Sequence, residues 1–172
     1  MILSSIQIVT VAVLGIYLVH WRASQRRRNS QSWESLVARL RTDWSGRGLS
    51  VHFLSREGLN TTPDETWEHI QGIRGLWAIY QNAGVMLEMA DYASQNGDSV
   101  DPGLLSALRN DATQIRIGVL KVLVQNAFGH ASESVRMNAF HVASMYTGMA
   151  ARMTLLLQQS ASALLPDFVA AM

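Results

Sequence analysis

The chain has 172 residues, of which 48% are hydrophobic and 16% charged, and it contains no cysteine. A chain of this length can bury a core without crosslinks, and the lack of cysteine excludes disulfides, thiolate metal sites, iron–sulfur clusters and a cysteine nucleophile. The net charge of +1 is the sum of two unlike parts. Residues 1–56 carry eight Arg against two acidic residues, a balance of +6, and residues 57–172 carry six basic against eleven acidic residues, a balance of −5.

The first segment predicts a membrane anchor. Residues 2–21 contain no formal charge, and a helix of twenty residues spans about 30 Å, the thickness of the bilayer's hydrocarbon core. A cleaved signal peptide is the competing interpretation, but it needs basic residues before the apolar run and small residues at the cleavage site. Neither is present here, so residues 1–21 are interpreted as a retained transmembrane helix.

Arginines directly after this span predict its orientation. Positive charge stays on the cytoplasmic side of a membrane, so we expect the N-terminus outside and the rest of the chain in the cytoplasm. Residues 22–31 then form a basic juxtamembrane tether that contacts anionic lipid headgroups. A nucleic-acid role is not expected, because the remaining domain is acidic. The headgroup candidates are Arg22, Arg26, Arg27 and Arg28.

One face of the span is more polar than a simple anchor requires. Because a buried Gln7 needs hydrogen-bonding partners, we expect this face to dock laterally on integral membrane protein subunits. The alternative is that Gln7 reaches the membrane interface. The residues that share this face through steps of three and four are Ser4, Gln7, Thr10, Leu14 and Tyr17.

His20, beside Trp21, is the one candidate cofactor ligand. Single-span light-harvesting polypeptides ligate a pigment metal through a histidine, but those chains are shorter and carry a small residue four positions earlier. Here that position is Ile16. An interfacial histidine is therefore the preferred interpretation, and no cofactor is expected.

Residues 32–61 predict a short amphipathic helix followed by an extended linker. Over residues 32–45 an apolar stripe of Trp33, Leu36, Val37, Leu40 and Trp44 indicates about three helical turns. This helix either lies on the lipid headgroups or packs on the following domain, and the pattern favours neither. Residues 49–54 alternate weakly, as an edge strand would, although a linker is the safer interpretation.

The sequence predicts that residues 62–172 form a bundle of three long helices. The first begins at a capping box formed by Thr62 and Glu65 and runs to about Asn96. Gly72, Gly75 and Gly84 within it indicate a close helix approach or a kink. Its predicted core stripe is Ile70, Ile73, Trp77, Tyr80, Gly84 and Leu87.

Two further helices follow, each with a heptad-like apolar seam. The second begins at Asp101–Pro102, and the third begins at Ser132 or Ser134. Short connections between long helices are typical of antiparallel bundles, so the predicted fold class is all-α, with the 32–45 helix as an added member. The second seam is Leu105, Leu108, Ala112, Ile115, Val119 and Val122; the third is Val135, Ala139, Val142, Tyr146, Met149, Met153 and Leu156.

Two sets of apolar residues exceed what these seams bury, and they predict a protein interface. The second helix carries Ile117, Leu120 and Val124 outside its seam, and the apolar tail carries Leu164, Leu165 and Phe168. Exposed apolar surface of this kind indicates a binding partner.

No set of residues with recognisable chemistry emerges. There is no Glu-x-x-His pair, phosphate-binding loop, nucleophile elbow or HExxH motif. Asn138 and His141 are interpreted as core residues that hydrogen-bond internally, and Met145, Met149 and Met153 as core filler. We therefore expect neither a metal site nor an enzyme.

These features together predict a non-catalytic, single-pass protein of the cytoplasmic membrane. The first hypothesis is an accessory or scaffold subunit that stabilises a larger membrane complex, with electron-transfer and photosynthetic complexes among the candidates. The alternative is a membrane-tethered, homo-oligomeric sensor or adaptor. Native electrophoresis distinguishes the two hypotheses.

Overall fold

The computed structural model describes residues 32–42, 61–96, 100–129 and 132–171. These residues contain six α-helices, one short 3₁₀ helix and no strand. The helices are α1 (Trp33–Val37), α2 (Pro63–His69), α3 (Ile73–Asn96), α4 (Pro102–Ala127), α5 (Ser132–Ser160) and α6 (Leu165–Ala171), and the 3₁₀ helix is Ser162–Leu164. The all-α prediction is thus confirmed for the part of the chain that is described.

Within these ranges no helix is long and apolar enough to cross a membrane. The predicted span over residues 1–21, the basic tether over 22–31 and the strand-like residues 49–54 lie outside the described residues. The same is true of every site residue predicted in the first two segments: Ser4, Gln7, Thr10, Leu14, Tyr17, His20, Arg22, Arg26, Arg27 and Arg28.

Helices α4 and α5 run antiparallel, as the short connection between them predicts. Asp111 near the start of α4 forms an ion pair with Arg152 far along α5. Gln125 near the end of α4 accepts a hydrogen bond of 3.0 Å from Asn138 near the start of α5. Contacts between the two helices therefore run in opposite chain directions.

The same reversal relates α3 to α4. Asp91, late in α3, pairs with Arg109, early in α4, over 3.0 Å. Tyr80, early in α3, accepts a hydrogen bond of 2.8 Å from Arg116, further along α4. Because α4 packs on both α3 and α5, the three long helices form the predicted antiparallel bundle.

The predicted seams of α4 and α5 are confirmed. Every residue of the seam from Leu105 to Val122 is buried, and so is every residue of the seam from Val135 to Leu156. Met149 and Met153 are fully buried as expected, while Met145 is only half-buried at the edge of the core. Steps of three and four residues therefore identified the inward face of both helices.

The prediction of one continuous helix from Thr62 to Asn96 is wrong. Thr62 and Glu65 form the expected capping box, but α2 ends at His69, and α3 begins only at Ile73. Gln71 and Gly72 between them have φ angles of 59° and 60°, in the left-handed region that ends helices. The predicted kink is therefore a complete break, after which α2 packs on α5.

The break also changes which face of α3 is buried. The residues that pack inward are Leu76, Ile79, Ala83, Met86 and Ala90, offset from the predicted stripe. Ile73 and Trp77 are exposed, Tyr80 and Leu87 are half-buried, and only Ile70 of the predicted large side chains lies fully in the core. The inward stripe is rich in alanine, which lets neighbouring helices approach closely.

Helix α1 packs on the bundle. It is shorter than predicted, but Leu36, Val37 and Leu40 are buried against the core, and α1 contacts α3. Trp33 meets the ring of Tyr92 edge-on, with 5.1 Å between the ring centroids. Of the two placements that the sequence left open, the structure shows packing on the domain.

The apolar tail also packs on the chain itself. Phe168 is 1% exposed, and Leu164 and Leu165 are half-buried against the core beside α1 and α5. The expectation that Phe168 belongs to a protein interface is therefore wrong in this structure, because α6 folds back and buries its ring. These apolar side chains of the tail therefore pack on the core of the same chain.

Candidate docking surface on helices α3 and α4

Helix α4 has an apolar stripe that faces solvent. Ile117, Leu120 and Val124 are 62%, 45% and 53% exposed, and Phe128 follows them at the end of the helix. These residues follow one another in steps of three and four, so they lie on one side of the helix, away from the buried seam. The structure thus places the three interface residues predicted on α4 together at the surface.

Helix α3 extends this apolar surface with aromatic side chains. Trp77 and Tyr80 stack with 5.1 Å between ring centroids and an interplanar angle of 5°. Tyr80 also borders a shallow groove of about 230 Å³ between α3 and α4. The groove's lining residues are Tyr80, Leu87, Thr113, Arg116, Ile117 and Leu120.

Arg116 is fixed against this aromatic pair. Its guanidinium carbon lies 4.5 Å from the centre of the Tyr80 ring, and its Nη2 donates to the Tyr80 hydroxyl at 2.8 Å. A guanidinium over a ring face is a stabilising cation–π arrangement. Within the described part of the chain, the buried Nε of Arg116 has no hydrogen-bond acceptor.

A second groove of about 250 Å³ lies on the other side of Ile117, between α4 and α5. Gly118 permits a close approach here, because a Cβ at this position would lie 2.7 Å from Cγ2 of Val142. Ile117 lines both grooves and therefore forms the ridge between them. The second groove is lined by Gln114, Ile117, Gly118, Lys121, Asn138, His141, Val142 and Met145.

This second groove corrects the prediction for two polar residues. His141 is exposed at the groove rather than buried in the core. Asn138 is half-buried, and it donates hydrogen bonds to Gln125 and to the carbonyl of Ser134. Both residues lie at the edge of the α4–α5 contact, beside the seam residue Val142, which also borders this groove.

The two charged residues that line the grooves are both cations. Arg116 lines the groove on the α3 side, and Lys121 lines the groove on the α5 side. Neither groove is lined by a carboxylate. The α3–α4 face is defined here as the apolar residues Trp77, Tyr80, Leu87, Ile117, Leu120 and Val124, and the charged residues that line its two grooves are Arg116 and Lys121.

Sequence reasoning missed the α3 half of this face. Trp77, Tyr80 and Leu87 were expected in the core, and their exposure follows from the changed face of α3. A second stripe of three-and-four spacing, from Leu76 to Ala90, was the signal in the sequence that α3 has two apolar sides. Only the packing decides which of the two is covered.

The described residues contain no group of three His, Cys, Asp or Glu side chains placed to hold a metal ion. The carboxylates of Glu88 and Asp91 pair with Arg39 and Arg109. What the arrangement can provide is apolar contact area bordered by two cations.

Comparison of the chain with protein-family models, with curated proteins and with solved structures gives no match.

Proposed function

We propose that this chain is a non-catalytic docking module, an accessory or scaffold subunit that binds another protein through the α3–α4 face. The observation that supports this proposal is the exposed apolar surface shared by two helices of an otherwise well-packed bundle. Large contiguous apolar patches are uncommon on monomers and mark interaction sites. Trp77 and Tyr80 belong to the residue types enriched at the centres of protein interfaces.

The proposal retains the membrane setting inferred from the sequence. An uncharged segment over residues 2–21 followed by four arginines supports a single span with the bundle on the cytoplasmic side. Integral membrane subunits and anionic lipid headgroups are then the partners of the span and of the basic tether, and the α3–α4 face is the surface through which the bundle binds a further protein. The chain would hold two subunits of one membrane complex together.

Native electrophoresis of membranes from the source cells, extracted in a mild detergent, tests this function. We expect the full chain to migrate within a complex much larger than 19.0 kDa. Leu120→Asp should release it, because a carboxylate would be buried in an apolar interface. Leu155→Asp is the matched control, since Leu155 has similar exposure but lines neither groove.

Each outcome has a definite meaning. Both variants should unfold at the wild-type temperature, because exposed positions tolerate substitution within about 0.5 kcal/mol. Migration of the wild-type chain as a lone small species would contradict the proposal. A complex that contains only copies of this chain would favour the homo-oligomeric adaptor instead.

A further inference from the structure

The α3–α4 face has the pattern of one side of a two-stranded helical interface. Ile117, Leu120 and Val124 form a stripe of three-and-four spacing, and Phe128 extends it to about 16 Å of helix length. Such a stripe accepts a second helix at a shallow angle, with its apolar side chains packed beside the ridge. The grooves on either side of Ile117 provide space for those side chains.

The flanks of the stripe determine what kind of helix fits. Arg116 lies toward α3, where it contacts Tyr80, and Lys121 lies toward α5, where it borders the second groove. They therefore occupy the two sides of the stripe, like the charged positions that flank a coiled-coil seam. Positions of this kind select partners by charge.

A second copy of this chain fits poorly. If the α4 stripes of two copies pack on each other, the residues on the two sides of one stripe lie next to those on the two sides of the other. This holds for both the parallel and the antiparallel arrangement. Neither groove lining offers a carboxylate that could pair with Arg116 or Lys121 of the other copy, and like charges brought together at these positions are destabilising. The face is therefore better suited to a different chain.

Resting on the proposed function, we propose that the α3–α4 face binds an amphipathic helix of another protein whose apolar stripe is flanked by carboxylates. The apolar residues of that helix lie along Ile117, Leu120 and Val124 over about two turns. Its carboxylates pair with Lys121 on one flank and with Arg116 on the other. Arg116, already stacked on Tyr80, is held in place for such a pair.

A fluorescence experiment on the full chain tests this proposal. The sequence has no cysteine, so Ala127→Cys, at an exposed position at the end of α4 that is not part of the α3–α4 face, provides a single site for an environment-sensitive fluorophore. The labelled chain is reconstituted in vesicles of phosphatidylcholine and phosphatidylglycerol. Two synthetic helical peptides with the same leucine stripe are added, one with glutamates on its flanks and the other with lysines.

We expect saturable binding of the glutamate peptide about tenfold tighter than that of the lysine peptide. Adding Lys121→Glu should remove or reverse this preference, since Lys121 is exposed and its replacement leaves the core intact. The control is Gln158→Glu with Gln159→Glu, which makes the same change in net charge at exposed positions that line neither groove. A label at Leu155→Cys should not respond.

Three results would overturn the proposal. Equal binding of the two peptides would show that the flanking cations do not select the partner. Quenching of the label at position 127 by nitroxide lipids, before any peptide is added, would show that the face lies on the membrane. Intermolecular energy transfer between labelled chains would show that a second copy covers it. Equal binding of the two peptides would overturn this proposal alone, because native electrophoresis could still find the larger complex and its release by Leu120→Asp. The other two results would also remove this face from the proposed function.

Discussion

The Asn82 side-chain amide donates a hydrogen bond of 3.0 Å to the Tyr146 hydroxyl, and this bond joins α3 to α5 inside the core. Asn82 is fully buried, and Tyr146 is almost so. The same amide pairs with the backbone of Arg41, accepting from its N–H at 2.7 Å and donating to its carbonyl at 3.2 Å. One side chain thus links the segment after α1 to two helices of the bundle.

The first prediction concerns this link. Asn82→Ala should lower the free energy of unfolding by about 3 kcal/mol, because it leaves the backbone groups of Arg41 and the Tyr146 hydroxyl without this partner. Tyr146→Phe removes only one of the three bonds and should cost about 1 kcal/mol. Urea denaturation of both variants measures the difference. Equal losses would contradict the role assigned to Asn82.

The second prediction concerns alkaline pH. Burial raises the pKa of the Tyr146 phenol well above its ordinary value of about 10, and the hydrogen bond from Asn82 opposes part of that shift. Above that ordinary value the unfolded chain loses the phenol proton while the folded chain keeps it. Stability therefore falls as the pH rises.

Tyr146→Phe lacks this titration and serves as the control. At pH 8 the wild type should have a larger free energy of unfolding than the variant. This difference should be smaller at pH 11, and urea denaturation at the two pH values measures it. A difference that stays constant between the two pH values would show that the buried phenol does not contribute to alkaline unfolding.

The third prediction compares two glycines of α3. A Cβ at Gly75 would lie 1.8 Å from the carbonyl oxygen of Ile70, whereas a Cβ at Gly84 meets nothing within 4 Å. Gly75→Ala should therefore destabilise the fold by about 2 kcal/mol, because the turn before α3 must move. Gly84→Ala should stabilise it by about 1 kcal/mol through helix propensity alone. Thermal unfolding of the two variants distinguishes these opposite signs.

The fourth prediction compares the apolar contacts of α1 with the ion pair formed by Arg39, which lies just after this helix. Leu36 is fully buried, so Leu36→Ala should cost about 3 kcal/mol. The Arg39 guanidinium pairs with both carboxylate oxygens of Glu88, at 2.5 and 3.1 Å, and this pair raises the pKa of Arg39. Because the pair is partly exposed, Arg39→Ala should cost only about 0.5 kcal/mol. A larger loss for Arg39→Ala than for Leu36→Ala, in chemical denaturation, would contradict this ranking.

Local patterns identified most of the helices. The capping box at Thr62 and the proline after Asp101 mark helix starts that the structure confirms within the described residues, and α5 begins at Ser132 itself, one of the two serines predicted to cap it. Each pattern acts over only a few residues, through hydrogen bonds to free backbone N–H groups at a helix start. The α2–α3 break was harder to predict, since it depends on Gln71 adopting a left-handed conformation that its residue type does not favour.

The exposed apolar surface was predictable only on α4. There the buried seam and the outer stripe are distinct, so Ile117, Leu120 and Val124 stood out as surplus apolar residues. On the tail the same reasoning misassigned Phe168, because a sequence pattern cannot show whether an apolar segment folds back onto its own domain. Asn82 was not identified at all, since a single polar residue among apolar ones gives no periodic signal.

The sequence by itself determined that this domain is helical, where α4 and α5 begin, and which of their faces are buried, because these properties depend on caps and on spacing along one helix. The tertiary structure decided which side of α3 is covered. Both sides are apolar, but the side with Ala83 and Ala90 lets neighbouring helices approach closely, and Trp77 and Tyr80 are left outside. The charge balance of +1 is similarly uninformative until the fold places Arg116 and Lys121 on the two flanks of one exposed stripe.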